Sequence, residues 1–164
     1  MRILGIDPGL HITGYGLLET DSARTKVLEA GVIRTSEKDS MADKLREISS
    51  ELEGIITQFR PDAIAVEDLY SHYDHPKTAI IMGHARGIIF LKAAEANIEV
   101  FPYASTRIKK SLTGNGRASK NQVQLMIKSA LGLDRVPEPP DTADALAIAL
   151  CHCRALAHHN GVLS

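Results

Sequence analysis

The stretch Arg2 to Gly9, R-I-L-G-I-D-P-G, constrains the fold more than any other part of the chain. Four apolar or small residues, Ile3 to Ile6, lie between a charged start and a Pro-Gly turn. They read as a short strand buried on both faces and stopped abruptly. Asp7 stands at its very end. A carboxylate at the rim of a core strand is costly unless a cation meets it or it caps the turn that follows. The stretch alone allows both roles, metal ligand and turn aspartate.

The chain beyond it is ordered. Residues 14–20 and 26–34 carry apolar runs separated by a polar Asp21-Ser22 turn, so the opening strand is expected to continue into an antiparallel meander. Ser40 followed by Asp43 starts a helix whose apolar positions Met41, Leu45, Ile48, Leu52, Ile55, Ile56 and Phe59 run up to Pro61. D-A-I-A-V-E, residues 62–67, then repeats the opening design, a short apolar run with a carboxylate at its C-terminal end. A strand, a helix and a strand make a right-handed crossover. As parallel neighbours the two strands would bring Asp7 and Glu67 out at one sheet edge, about 5 Å apart along the backbone. Asp68 would face the other way.

A helix is expected over residues 78–96, with Gly83 and Gly87 permitting close approach of another backbone, and Asn97 ends it. A final strand covers residues 98–103. The chain then turns helical and basic, with a Gly114-Asn115-Gly116 turn between two helices, and a Pro-rich hinge at 136–140 leads into the last helix. There Asp141 and Asp144 share one face of the first turn. Two acids at a helix start can serve the helix dipole alone. Here they open a helix whose next residues, Ala145 to Ala149, are small or apolar, which weakens that explanation. The residues after Arg154 read as a fraying helix end.

At 164 residues the chain has length for one well-buried domain, 1–164, and not for two ordinary ones. Nothing approaches membrane-spanning length and the N-terminus enters the first strand directly, so a cytoplasmic protein is expected. Cys151 and Cys153, two apart on a helix, cannot bridge each other and read as reduced, partly buried thiols; a zinc site combining them with His72, His75 and His152 would need ligands from different helix faces. The net charge of −1 hides an uneven distribution. Between Ser105 and Arg135 seven basic residues (Arg107, Lys109, Lys110, Arg117, Lys120, Lys128, Arg135) face one acid, so this block is +6 and the remainder −7. A basic block beside an acidic pocket is what a phosphate-backbone surface with metal-binding carboxylates requires. A solvated helix face is the plainer alternative.

Asp7, Glu67, Asp141 and Asp144, delivered by two strand ends and one helix start, would form a set of hard oxygen ligands suited to Mg²⁺ or Mn²⁺. Such a pair of ions serves in-line hydrolysis of a phosphodiester, with Lys109 and Lys120 placed to offset transition-state charge. Two other readings use the same fold. One is a nucleotide-handling enzyme of the actin and sugar-kinase type, which normally needs two such domains. The other is an inert nucleic-acid-binding module, which leaves four gathered acids unexplained.

G-I-D-P-G at residues 5–9, T-G-Y-G at 13–16, A-V-E at 65–67, G-H-A-R-G at 83–87 and D-T-A-D-A-L-A-I-A at 141–149 together resemble the RuvC Holliday-junction resolvases, in family order and over nearly the whole chain. The resemblance implies an α/β, ribonuclease-H-like fold with a five-stranded mixed sheet flanked by helices. It implies a homodimer making Mg²⁺-dependent paired nicks across a four-way DNA junction, with 5′-phosphate and 3′-hydroxyl ends. Two-fold symmetry suits two opposed strands. The family's four metal-binding acids fall on Asp7, Glu67, Asp141 and Asp144, and its two functional lysines on Lys109 and Lys120. Two Mg²⁺ ions per site are implied, with Mn²⁺ as a substitute, and RuvA and RuvB as candidate partners. The junction-opening aromatic falls on Tyr70, which can stack on an unpaired base, and Tyr73 could share that role. Arg107, Lys110 and Arg117 are the expected DNA-backbone contacts. The loop Ser71-His72-Tyr73-Asp74-His75-Pro76 departs from the family's aromatic, glycine and basic pattern.

Overall fold

The computed structural model describes residues 1–21, 24–69 and 76–162. Three strands, β1 (Arg2–Asp7), β2 (Ile12–Thr20) and β3 (Thr25–Arg34), form the antiparallel meander. Helix α1 (Met41–Phe59) then crosses to β4 (Ala63–Glu67), which pairs parallel with β1. Helix α2 (Pro76–Glu95) crosses again to β5 (Glu99–Tyr103), parallel to β4. The sheet order is β3-β2-β1-β4-β5, the mixed five-stranded sheet expected from the sequence, with β1 at its centre. Helices α3 (Ser105–Thr113), α4 (Lys120–Ala130) and α5 (Pro140–Val162) complete the chain.

Strand periodicity sorts the core into two layers. Ile3, Leu18 and Ala65 point to the side covered by α3, α4 and α5. Leu4, Ile6, Leu17, Ile64 and Val66 point to the side covered by α1 and α2. Local chemistry places the helix ends. Ser40 Oγ accepts from the Asp43 backbone N–H to start α1, and Arg60 closes it in the left-handed region. Ser119 and Gln122 form a reciprocal capping box on α4.

The strongest constraint is the seat of α5. Every residue from Ala145 to Cys153 is buried, so this helix is enclosed rather than amphipathic. Gly5, Gly14 and Gly16 form its bed. A Cβ on Gly5 would strike Ala145 O and lie 2.6 Å from Ala149 N, and one on Gly14 would strike Asp141 O. Glycine on these strands therefore sets how closely the start of α5 approaches the sheet.

The chain after Arg154 is helical to Val162, with Ala155 and Leu156 packed on the α5-side core. On α2, nothing lies within 4 Å of a Cβ on Gly87 and only Leu69 Cδ1, at 4.0 Å, near one on Gly83. No backbone of the described residues closes on these glycines. Cys151 and Cys153 are free and buried, and burial pushes both thiols up, Cys153 to about 11.

Candidate metal and DNA site

The site lies where β1, β4 and β5 end. Ile6 pairs with Val66 in the parallel register, so the next residues, Asp7 and Glu67, leave the sheet side by side. Asp7 lies across from Gly14 on β2, and Gly14 is the residue on which the Asp141 backbone rests. The bed that seats α5 thus also brings Asp141 and Asp144 over the strand ends. Asp68 points to the opposite face, as its position predicts, and its Oδ1 accepts from Arg86 Nη2 of α2 at 3.0 Å.

The electrostatics record this crowding. Burial, followed by Glu67, Asp144 and Asp141, pushes Asp7 up to about 8, against a smaller opposing pull from Lys120. Glu67 is also raised, by burial and by Asp144, while a hydrogen bond from Ser105 and the charges of Lys109 and Lys120 hold it down. Lys120 Nζ lies 2.8 Å from Asp144 Oδ2, and this contact raises the lysine further above its ordinary range. Glu67, Asp144, Ser105, Lys109 and Lys120 all line one cavity of about 170 Å³.

Among the described residues no three His, Cys, Asp or Glu donors are already assembled as a metal-holding group. The residues nevertheless fit divalent cations. All four candidate donors are carboxylates, burial and then their mutual repulsion favour a proton on Asp7, and an ammonium already sits against Asp144. Lys120→Met is expected to lower kcat on a saturating phosphodiester substrate by roughly 10² to 10³-fold while changing Kd only a few-fold. Single-turnover kinetics beside binding titrations check this.

The expected catalytic lysines and DNA contacts separate into groups. Lys109 and Lys120 join the carboxylates. Arg107 and Lys110 lie on another face of α3, in a cleft against α5. Exposed Arg117 stands in the α3–α4 connection, where its backbone N–H donates to Asn115 Oδ1 at 2.9 Å. Tyr70, Tyr73, His72 and His75 lie outside the described residues.

Sequence reasoning missed Ser105 and Arg86. Ser105 opens α3 right after β5, whose Tyr103 pairs with Glu67, so a hydroxyl one strand away from a rim carboxylate was its only signal. Arg86 was seen only as part of a motif. It stacks over Phe90, 4.8 Å from the ring centroid, while it holds Asp68 beside the site.

The family model for crossover junction endodeoxyribonuclease RuvC matches residues 3–152. A crossover junction endodeoxyribonuclease RuvC of Rhodopirellula baltica is 52% identical over 149 residues, covering 91% of this chain and 84% of that one. One from Alkaliphilus oremlandii is 47% identical over 152 residues, covering 93% and 92%. Among solved structures, T. thermophilus RuvC in complex with a Holliday junction substrate superposes with a TM-score of 0.92 at 34% identity, over 97% of this chain and 96% of that one. A yeast mitochondrial Holliday junction resolvase shares the fold at 16% identity, with a TM-score of 0.67. Among the described residues no helix is long and apolar enough to cross a membrane. The mixed sheet, the rim carboxylates and relatives matched over almost their full length agree: the chain belongs to the RuvC family of crossover junction endodeoxyribonucleases.

Proposed function

We propose that the protein resolves four-way DNA junctions by metal-dependent hydrolysis of one phosphodiester on each of two opposed strands. The observation that carries this reading is the convergence of Asp7, Glu67, Asp141 and Asp144 at one sheet edge beside Lys109 and Lys120. These four carboxylates would hold two Mg²⁺ ions, with Mn²⁺ able to replace them. When bound, the ions supply activation of a water and neutralisation of charge at the leaving 3′ oxygen.

The chain's own residues do the remaining work. Ser105 hydrogen-bonds to Glu67 and favours its charged form against the burial that raises it. Lys120 bridges toward Asp144 and, with Lys109, adds positive charge where the attacked phosphoryl group becomes more negative. No side chain need act as a covalent nucleophile, and Cys151 and Cys153 are buried thiols that burial pushes up. Arg107, Lys110 and Arg117 bind the sugar-phosphate backbone of the junction arms.

The active form in this reading is a homodimer, which sets two sites for two strands. Its support is α2, where Ile80, Phe90 and Leu91 are 62%, 38% and 50% exposed on one apolar helix. The double variant Ile80→Glu, Leu91→Glu is expected to sediment as a monomer and to lose paired nicking while its circular dichroism stays native. A stable dimer in that variant would remove α2 from the interface.

The reading is tested with a junction whose four strands are labelled one at a time. Nicks at symmetric positions on two opposed strands, with ends that DNA ligase reseals directly, are expected. Nicks scattered over all four strands, or ends that resist ligation, would overturn it.

A further inference from the structure

Helix α3 has working residues on two faces. Ser105, Ile108 and Lys109 line the carboxylate cavity, whereas Arg107, Lys110 and Ser111 line a separate cleft of about 330 Å³ closed by Arg154 and His158 of α5. The second cleft is basic and no carboxylate lines it. Two of its cations are held in place. The Arg107 guanidinium lies 4.9 Å from the centroid of the Tyr103 ring. That ring is itself fixed by a 2.6 Å hydrogen bond between its hydroxyl and His152 Nδ1. Arg154 Nη1 donates to Ser111 O and, at 3.5 Å, to Leu112 O, the last carbonyls of α3. Both guanidiniums also draw down the Cys151 thiol at the floor of the cleft, against its burial.

Cations fixed side by side with no counter-charge repel one another, and an oxyanion with several acceptor oxygens relieves that repulsion. We propose that this cleft is a second phosphate-binding site, which grips the DNA backbone one helix width from the phosphodiester held at the carboxylates. The inference rests on the junction-cleaving reading and adds Arg154 and His158, from the segment after the family motifs, to the DNA surface. A helix is roughly 10 Å across, so the gripped phosphate lies within the first few positions of the scissile one.

The test compares the wild type with the Arg107→Gln, Lys110→Gln double variant in metal-free binding to a labelled four-way junction. Arg154 is kept, since it caps α3. The plot of log K against log salt is expected to become shallower by roughly 1 to 2 in the double variant, about 0.9 for each phosphate contact removed. Affinity near 0.1 M salt should fall about tenfold. Lys38→Gln, an exposed charge on the loop before α1, should match wild type. A neutral methylphosphonate, moved one position at a time away from the scissile phosphate, should weaken wild-type binding at one of the first few positions and leave the double variant unaffected there. An unchanged salt slope, or equal methylphosphonate losses in both proteins at every position, would overturn the proposal. Inorganic phosphate should displace no more junction than chloride of equal ionic strength; selective displacement from wild type alone would mean a free-phosphate site and overturn the backbone assignment. Wild-type binding and cleavage in the same series report the junction-cleaving reading separately.

Discussion

Asp7→Asn is expected to abolish junction cleavage, by roughly 10³-fold or more, while junction affinity stays within a few-fold of wild type. The substitution should also make the metal-free protein more stable. Burial and three neighbouring carboxylates push Asp7 up to about 8 from its ordinary 3.8, so the native state keeps a proton that the unfolded chain releases. Stability therefore falls as pH rises from about 4 to about 8, because the unfolded state binds fewer protons across that window. Asparagine removes this penalty. The variant should gain nothing below pH 4 and on the order of 1 to 3 kcal/mol by pH 8, the coupling to Glu67, Asp141 and Asp144 spreading the transition. Adding Mg²⁺ should narrow the gap, since only the wild type recovers stability by binding it. Urea melts at pH 4 and pH 8, with and without Mg²⁺, check every part. A variant less stable than wild type at pH 8 without metal would make Asp7 a structural turn aspartate.

Gly5→Ala carries the other large effect. Its new methyl would strike Ala145 O and lie 2.6 Å from Ala149 N and 2.8 Å from Ala149 Cβ, all rigid parts of α5. No flexible side chain can yield there, so either β1 bends or α5 lifts. The expected cost is about 3 kcal/mol or more, a fall in Tm of roughly 6–12 °C. Cleavage should fall further than stability does, since Asp141 and Asp144 ride on the displaced helix. Gly54→Ala is the contrasting case. Gly54 is interior to α1 with nothing within 4 Å of its missing Cβ, so alanine should stabilise by about 0.5–1 kcal/mol. The two urea midpoints should move in opposite directions.

What could be read in the sequence was whatever depends on near neighbours. The strands β1 and β4 announced themselves by an apolar run ending in an acid, and period-two alternation assigned Asp7 and Glu67 to one face and Asp68 to the other. The Asp141–Asp144 pair was visible from helical spacing. Glycine was harder, because the residue type does not say whether it permits contact or merely tolerates open space. Gly5, Gly14 and Gly16 seat a helix from more than 120 residues away, whereas Gly83 and Gly87 meet no backbone among the described residues. The Arg86–Asp68 pair and the Arg154 cap on α3 join residues 18 and 43 apart in sequence, so no local pattern encodes them. Past Arg154, Ala155 and Leu156 pack on the core, a contact that no terminal signal announces.

The central claim is that four rim carboxylates make a metal-dependent, junction-selective nuclease. It is tested most directly by incubating the purified protein with a labelled four-way junction and a linear duplex of the same sequence, in Mg²⁺ and in chelator. The account predicts cleavage near the crossover of the junction in Mg²⁺, none in chelator and none of the duplex. Cleavage that persists in chelator, or that proceeds equally on the duplex, would contradict it.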